Sequence, residues 1–358
     1  MRVMKSPSCL AVAMLACACA SSARADGFVD VLDAPARMSR LASRSLLHGI
    51  AAAGQRLVAV GEHGNVVVSK DAGATWTQSR VPVSSDLTAV YFVDATRGWA
   101  VGHDGVVLHT EDAGDSWRLQ LDGCKAADLL VAAMARRVAR EPASEQANKL
   151  LAEARRYREE GADKPFLDVW FADANDGYVV GAYNLIFRTR DGGATWEPWF
   201  DRTDNPKRFN LYAIRPAAGA LYVAGEGGLV LKLDAGAAHF KALDVPYTGS
   251  FFGLVATGDA LLVYGLRGTA LRTDDGGTTW SKADTRLDSA IVTGTRMANG
   301  TLLLADAAGR IVASDDDART FARVAVKQSM PLTALVATGR GLLAVTGPRG
   351  VASVELVR

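Results

Sequence analysis

Short runs of alternating apolar and polar residues follow one another along the chain, separated by turns rich in Gly and Asp. Leu87–Phe92 alternates and meets a polar turn at Asp94–Gly98, after which come Trp99–Gly102, Val106–His109 and Arg118–Leu121. Period-two alternation with β-branched residues and Gly or Asp turns is typical of antiparallel strands. The pattern therefore predicts units of four short strands.

This unit is repeated. Apolar residues, a tight turn that is usually G-x-x-G and further alternating residues occur at 58–69, 99–110, 179–189, 222–233, 262–273, 303–314 and 343–356. Repeats of about 40 residues are typical of propeller blades. The sequence predicts an all-β fold, a seven-bladed β-propeller of four-stranded antiparallel blades. Residues near Phe28–Ser45 are expected to pair with the incomplete last blade and close the ring.

An eight-residue pattern known as an Asp box, [ST]-x-D-x-G-x-[ST]-W, follows the third strand in four copies. Its Asp can accept hydrogen bonds from the turn, its Gly permits unusual backbone angles, and its Trp can be buried between blades. Degenerate copies at Leu233–Phe240 and Ser314–Phe321 are expected to fill the gaps. The residues to which we assign this structural role are Asp71, Gly73, Trp76, Asp112, Gly114, Trp117, Asp191, Gly193, Trp196, Asp275, Gly277 and Trp280.

The strand order separates two faces of the predicted propeller. The Asp boxes occupy third turns on one face, whereas the G-x-x-G turns and the connections between blades share the other, which we call the variable face because its residues differ between copies. Structural constraint on one face and diversity on the other indicate binding at the variable face. The candidate partner-binding residues there are Glu62, His63, His103, Asp104, Tyr183, Asn184, Arg202, Lys207, Arg208 and Arg267.

One connection between blades is much longer than the others. Within residues 124–165, apolar residues at helical spacing predict helices over Ala126–Arg140 and Glu145–Glu160, with Ser144 as a cap and Gly161 as a stop. The result is an inserted α-helical hairpin on the variable face. It is either a lid packed on the propeller or a docking arm for a partner, and the two roles are compatible.

The chain begins like an exported protein. A short basic start, an apolar run at Leu10–Ala20 and the sequence Ala23-Arg24-Ala25 predict a signal peptide over residues 1–25, cleaved near Ala25. The propeller then occupies residues 26–358, and its expected location is periplasmic or extracellular. Met14–Cys17 is a poor lipobox, so a lipoprotein is not expected.

Composition and motifs exclude several kinds of chemistry. Removing residues 1–25 changes the formal charge from +1 to −2, which offers no footprint for nucleic acid, and leaves Cys124 as the one cysteine. The five histidines have no metal-ligand spacing, and a nucleophile elbow, a P-loop and a dinucleotide fingerprint are all missing. No catalytic residue, cofactor or metal is predicted.

Two segments, Leu87–Trp117 and Phe166–Trp196, resemble the photosystem II stability/assembly factor family. The resemblance implies an exported, non-enzymatic seven-bladed propeller that binds membrane-protein complex subunits during assembly. Family relatives in non-photosynthetic bacteria, often encoded near exporters, make that branch the expected one, with photosystem-like or exporter subunits as partners. We expect a monomer that is at most peripheral to the membrane.

Two departures from the family limit what the resemblance implies. The hairpin is not part of the photosynthetic pattern. The basic surface patch of the family cannot be aligned residue by residue, and the nearest candidates for it are Arg202, Lys207, Arg208 and Arg267. Asp boxes also occur in sialidases, so the alternative is a glycoside hydrolase or carbohydrate-binding propeller. A sialidase needs an arginine triad, a Tyr–Glu pair and usually an F-R-I-P start, of which Ala213–Pro216 is only a scrambled echo.

Overall fold

Antiparallel strands of two to eight residues follow one another in chain order. The computed structural model describes residues 29–326, 330–339 and 342–357. In these residues the strands form six units of four strands and a last unit of three, which we call blades 1 to 7. The predicted β-propeller with an inserted helical hairpin is confirmed, although blade 7 has three strands. The expected signal peptide lies outside the described residues.

Each blade is built in the same order, from an inner first strand to an outer last strand. Blades 1 to 3 comprise β1 (Leu47–Ala53), β2 (Arg56–Gly61), β3 (Val66–Ser69), β4 (Thr77–Gln78), β5 (Leu87–Phe92), β6 (Gly98–Gly102), β7 (Val107–Thr110), β8 (Arg118–Leu121), β9 (Phe166–Phe171), β10 (Gly177–Gly181), β11 (Ile186–Thr189) and β12 (Glu197–Pro198). Blades 4 to 7 comprise β13 (Leu211–Ala217), β14 (Ala220–Gly225), β15 (Val230–Asp234), β16 (His239–Ala242), β17 (Phe251–Thr257), β18 (Ala260–Gly265), β19 (Ala270–Thr273), β20 (Ser281–Lys282), β21 (Ile291–Arg296), β22 (Leu302–Asp306), β23 (Ile311–Ser314), β24 (Ala322–Val326), β25 (Ala334–Gly339), β26 (Leu342–Gly347) and β27 (Gly350–Val357).

The G-x-x-G motif forms a short 3-10 turn between the second and third strands. In blade 1 this turn is Glu62–Gly64, and a side chain on either glycine of the motif would strike backbone. A Cβ on Gly61 would lie 2.2 Å from the Leu46 carbonyl oxygen, and one on Gly64 would lie 2.3 Å from that of Val83. The motif therefore fits the turn against the connections before and after the blade.

The core lies between successive blades. One buried cluster joins Val58 and Val66 of blade 1 to Leu87, Leu108 and Trp117 of blade 2. Comparable clusters link the later pairs, and a small one around Leu47 joins blade 1 to Val351 of blade 7. Because most apolar area is buried between neighbours, each blade depends on the next for its stability.

The expected role of the N-terminal segment in closing the last blade is wrong for the described residues. Strand β27 has β26 on one side and β24 on the other, through Ala325↔Val357 and Val326↔Leu356. The N-terminal segment instead bonds to the connection between blades 1 and 2, where Ala36 N–H donates to the Val81 carbonyl at 3.0 Å. With β24 beside it, β27 has no free edge along these residues for another strand.

The insertion forms two antiparallel helices, α1 (Gly123–Arg140) and α2 (Glu145–Glu160). Asp122 and Ser144 cap them, accepting hydrogen bonds from the N–H groups of Lys125 and Ala147 at 2.9 and 3.2 Å. Helix α1 thus begins three residues before the predicted Ala126. Within the described part of the chain, neither helix is long and apolar enough to span a bilayer.

Candidate functional site: the variable face and the central channel

The Asp boxes form self-contained turns. In blade 3, Asp191 accepts hydrogen bonds from Thr189 Oγ1 at 2.8 Å, Thr195 N–H at 2.8 Å and Thr195 Oγ1 at 2.6 Å, while Gly193 has φ of 89°. The boxes at Asp71, Asp112 and Asp275 repeat this arrangement. Hydrogen bonds from Thr75 lower the pKa of Asp71 to about 2. Because each carboxylate is engaged by its own turn, these residues act in the fold.

The two degenerate copies differ from each other. In Ser314–Phe321 the Ser314 hydroxyl donates to Asp316 Oδ1 at 2.8 Å and Thr320 Oγ1 to Asp316 Oδ2 at 2.6 Å, so the box is intact. In Leu233–Phe240 no box forms, because β15 and β16 continue until Asp234 pairs with His239. Leu233 has no hydroxyl and Ala235 no carboxylate with which to build one.

The box tryptophans vary in burial. Trp117 and Trp196 are buried, at 7% and 5% exposure, whereas Trp76 and Trp280 are half-buried. Trp196 meets Phe171 edge to face at 6.2 Å, and Phe171 stacks on Trp99 at 3.5 Å. These rings join blades 2 and 3.

The hairpin is fastened to the variable face by both apolar and ionic contacts. Leu130, Met134, Leu150 and Tyr157 pack with Phe166, Leu185 and Phe200 of the propeller. Glu153 accepts from Arg208 Nε at 3.1 Å and from Arg208 Nη2 at 2.9 Å, and Arg137 Nη1 donates to Asp201 at 2.6 Å. The apolar sides of both helices are thus directed at the propeller, as a lid requires.

The candidate partner-binding residues do not share one environment. The tips Glu62, His63, His103, Asp104, Tyr183 and Arg267 lie in the 3-10 turns of blades 1, 2, 3 and 5. The side chain of His63 is 81% exposed and Tyr183 is 53% exposed.

Other candidates are occupied by contacts within the protein. Asn184 is fully buried and donates to the Phe200 carbonyl at 3.0 Å. Arg208 is held by Glu153, and Arg202 donates to Glu197 at 2.7 Å while lying 4.8 Å over the Trp199 ring. Lys207 is exposed beside Phe209.

Sequence reasoning missed a ring of side chains at the mouth of the channel. The inner strands of blades 1 to 6 each contain a register shift that leaves one residue unpaired close to the variable face. We call these residues the bulge ring: His48, Thr88, Leu167, Tyr212, Phe252 and Val292. A β-bulge re-aims a side chain and is frequent near functional sites. In the sequence, each of these residues directly follows the first apolar residue of its inner strand, and this shared position could have identified the ring.

The bulge ring is divided into two arcs. Blades 1 and 2 contribute His48 and Thr88, whereas blades 3 to 6 contribute an apolar arc, Leu167, Tyr212, Phe252 and Val292. All six are partly exposed, and the Tyr212 and Phe252 rings meet edge to face at 5.5 Å. Tyr183 and Leu266, 53% and 37% exposed, lie on the same face in blades 3 and 5. This apolar surface is the candidate site.

The inner strands surround an open cavity of about 480 Å³, which the bulge ring also lines. Asp168 is buried in its wall and accepts hydrogen bonds from Ile214 N–H at 2.8 Å and Arg215 Nη1 at 2.5 Å, which ties blade 3 to blade 4. Burial raises the pKa of the Asp168 carboxyl against the opposing effect of Arg215. Among the described residues that line the cavity, Arg215 is the one guanidinium, so an arginine triad is not assembled there.

Comparison with known proteins identifies relatives of the chain. The family model described as Photosynthesis system II assembly factor YCF48 matches residues 39–137 and 153–312, so only the tip of the hairpin is left out of this middle region. The chain is 27% identical over 161 residues to the photosystem II assembly lipoprotein Ycf48 of Synechococcus sp. (strain CC9902), covering 44% of this chain and 48% of that protein. It is 22% identical over 255 residues to the chloroplastic photosystem II stability/assembly factor HCF136 of Arabidopsis thaliana, covering 62% and 63%. The chain thus spans between about half and just under two thirds of these relatives.

Solved structures agree on the fold. A structure of YCF48 bound to D1 peptide superposes with a TM-score of 0.62 at 14% identity, covering 91% of this chain and 95% of that one. The WD40 propeller domain of Doa1 superposes with a TM-score of 0.61 at 8% identity, covering 91% and 96%. At these identities the likeness shows the propeller fold alone. It is the family model, which matches well over half of the chain, that establishes membership: the chain belongs to the Photosynthesis system II assembly factor YCF48 family.

Proposed function

We propose that this protein is a non-enzymatic assembly factor that holds a segment of a membrane-protein subunit on its variable face. The observation that carries the proposal is the apolar arc of the bulge ring, partly exposed on a chain of this family. A related propeller was solved bound to a D1 peptide, which supports peptide binding as the mode of action.

The arc has the properties of a binding hot spot. Aromatic side chains dominate the energy of many interfaces, especially where they cluster at the centre of a patch. Tyr212 and Phe252 lie together at the channel mouth, with the exposed Tyr183 and Leu266 further out. We infer that the bound segment is extended and presents apolar side chains to blades 3 to 6.

The partner is inferred to be a subunit of a photosystem or, in a non-photosynthetic host, of an exporter. The protein then acts on the exported side of the membrane, in the periplasm or its equivalent. Fractionation of cells that express the full chain tests the location, and recovery of the protein with the cytoplasmic fraction would contradict it.

The function is tested by crosslinking the tagged protein in its native membranes, followed by affinity purification and mass spectrometry. We expect crosslinks from the variable face to an exported segment of a membrane-protein subunit, which also names the complex. The double variant Tyr183→Glu/Leu266→Glu should lose these crosslinks, because both side chains are exposed and a buried charge is costly in an apolar interface.

Ala194→Glu is the matched control. Ala194 is exposed in the Asp box of blade 3, on the opposite face, so its substitution should leave the crosslinks unchanged. Equal loss in both variants, or crosslinks that map to the Asp-box face, would refute the proposed site.

A further inference from the structure

An arginine that lines the cavity uses only one of its three guanidinium nitrogens in hydrogen bonds within the protein. Arg215 Nη1 donates to Asp168 Oδ2 at 2.5 Å and to the Ile214 carbonyl at 2.6 Å. Its Nε and Nη2 atoms have no hydrogen-bond partner among the described residues. The side chain remains 35% exposed and lines the cavity.

Other arginines of this protein use the same edge to grip a carboxylate. Arg188 donates from Nε and Nη2 to the two oxygens of Asp176 at 2.9 and 2.8 Å. Arg208 does the same with Glu153, at 3.1 and 2.9 Å. The Nε–Nη2 edge of a guanidinium matches the spacing of carboxylate oxygens, and such paired bonds are among the strongest in proteins. At Arg215 this edge has no carboxylate partner among the described residues, and the partly exposed side chain lines the cavity.

Tyr264 adds another hydrogen-bond donor. It belongs to β18, the second strand of blade 5, and its ring lies over Gly253 and Gly294 of two inner strands. A Cβ on these glycines would lie 2.4 and 3.1 Å from ring atoms of Tyr264. It thereby reaches the cavity wall near Arg215. Burial raises the pKa of Tyr264, so its phenol stays protonated and can donate a hydrogen bond.

The remaining walls are mixed, and the volume suits a small molecule. Val90, Leu254, Leu335 and Val336 line the cavity of about 480 Å³ together with hydroxyl-bearing residues such as Thr293 and Thr333, and ligand pockets commonly hold about 300 to 1,000 Å³. Tyr91 lies across from Arg215, its ring centre 6.0 Å from the guanidinium carbon.

We propose that the channel is a second binding site, which takes a small organic carboxylate. The carboxylate pairs with the Nε–Nη2 edge of Arg215 and accepts a hydrogen bond from Tyr264, while the carbon skeleton of the ligand packs on the surrounding inner strands. Asp168 holds the guanidinium in place by pairing with its Nη1 atom. The bulge ring lines the same cavity, but binding of a small carboxylate at Arg215 does not depend on the proposed assembly function.

Ligand-observed NMR and calorimetry on the full exported chain test the site, with benzoate and hexanoate as probes and benzyl alcohol as the neutral control. We expect the two carboxylates to bind and benzyl alcohol not to bind. Arg215→Lys keeps the positive charge beside Asp168 but lacks the paired edge, so it should weaken binding by about tenfold. Arg190→Gln, at an exposed arginine in the Asp box of blade 3, is the matched control and should not weaken it.

Failure of both carboxylates to bind, equal binding of benzyl alcohol, or unchanged affinity in Arg215→Lys would overturn the proposal. Should Arg215→Lys lower the melting temperature, Tyr264→Phe decides the matter, since it removes a single hydroxyl. Weaker carboxylate binding by that variant supports the site, and unchanged binding refutes it. None of these measurements involves the membrane partner, so the site can fail while the assembly function stands.

Discussion

Acid should weaken the junction of blades 2 and 3 through His109. This side chain is 4% exposed and stacks on Trp99 with ring centres 4.7 Å apart. Its Nδ1 atom lies 2.7 Å from Arg118 Nη2, and since a guanidinium can only donate, Nδ1 must accept and the ring must be neutral. Burial, with a further contribution from Arg118, lowers the pKa of His109 from 6.5 to about 4.

The sign and size of the effect follow from that difference. Above pH 6.5 the ring is neutral in both the folded and the unfolded chain, so His109 adds no pH dependence. Between pH 6.5 and about 4 the unfolded chain binds the proton and the folded chain does not. The free energy of unfolding therefore falls as the pH falls through this window, by about 3 kcal/mol in total.

Urea unfolding between pH 7 and pH 4 measures the effect, and the imidazole shifts in NMR spectra give the pKa directly. His109→Gln removes the titrating group, so the wild-type protein should lose about 3 kcal/mol more than this variant over the window. His63→Gln is the matched control, because that ring is on an exposed turn, and it should retain the wild-type pH dependence. An identical loss in the wild type and in His109→Gln would show that the buried ring is not responsible.

Three further variants test the packing and the hairpin. Ala318→Gly should raise the free energy of unfolding by about 1 kcal/mol, because Ala318 has φ of 64° where the complete boxes have Gly; a decrease measured in urea would contradict the strain argument. Trp196→Ala should lower the free energy of unfolding by about 3 to 5 kcal/mol, and Trp280→Ala should lower it clearly less, because Trp196 is buried and Trp280 is half-buried. Equal decreases in melting temperature for the two variants would refute this ranking. Deletion of Lys125–Gly161 should leave a folded but less stable propeller, because Gly123 and Ala162 already touch. Binding of the partner should be lost, because Tyr157 of the hairpin packs beside Tyr183 of the proposed site, with ring centres 6.4 Å apart. Loss of the β-sheet circular dichroism signal would instead make the hairpin a structural lid.

The regular features of the fold could be predicted because each rests on a local rule. The strand alternation, the G-x-x-G turn and the Asp box recur in successive copies, and the order of the turns determines which face each occupies. The degenerate box at Ser314–Phe321 follows the rule because its hydroxyl and carboxylate residues are in place. The copy at Leu233–Phe240 breaks it because they are not.

The surroundings of individual polar residues could not be predicted because they depend on contacts between distant parts of the chain. Arg208 looks like a free cation in the sequence, but Glu153, in another element, occupies its guanidinium. Asn184 is at a turn tip, yet its amide is drawn inward by the Phe200 carbonyl. Arg215 belongs to a segment that resembles a scrambled glycosidase motif, and its role depends on Asp168 in the neighbouring blade.

A repeated scaffold offers a particular way to build an asymmetric site. The repeated turn and strand pairing place the inner strands of blades 1 to 6 in the same way, so the bulge presents one side chain from each of these six blades at the channel mouth. Because those side chains are partly exposed rather than part of the core between blades, they can differ from blade to blade. Here they are polar at His48 and Thr88 and apolar from Leu167 round to Val292. A segment lying across the mouth would meet a polar arc on one side and an apolar arc on the other, so the ring would select both its sequence and its direction.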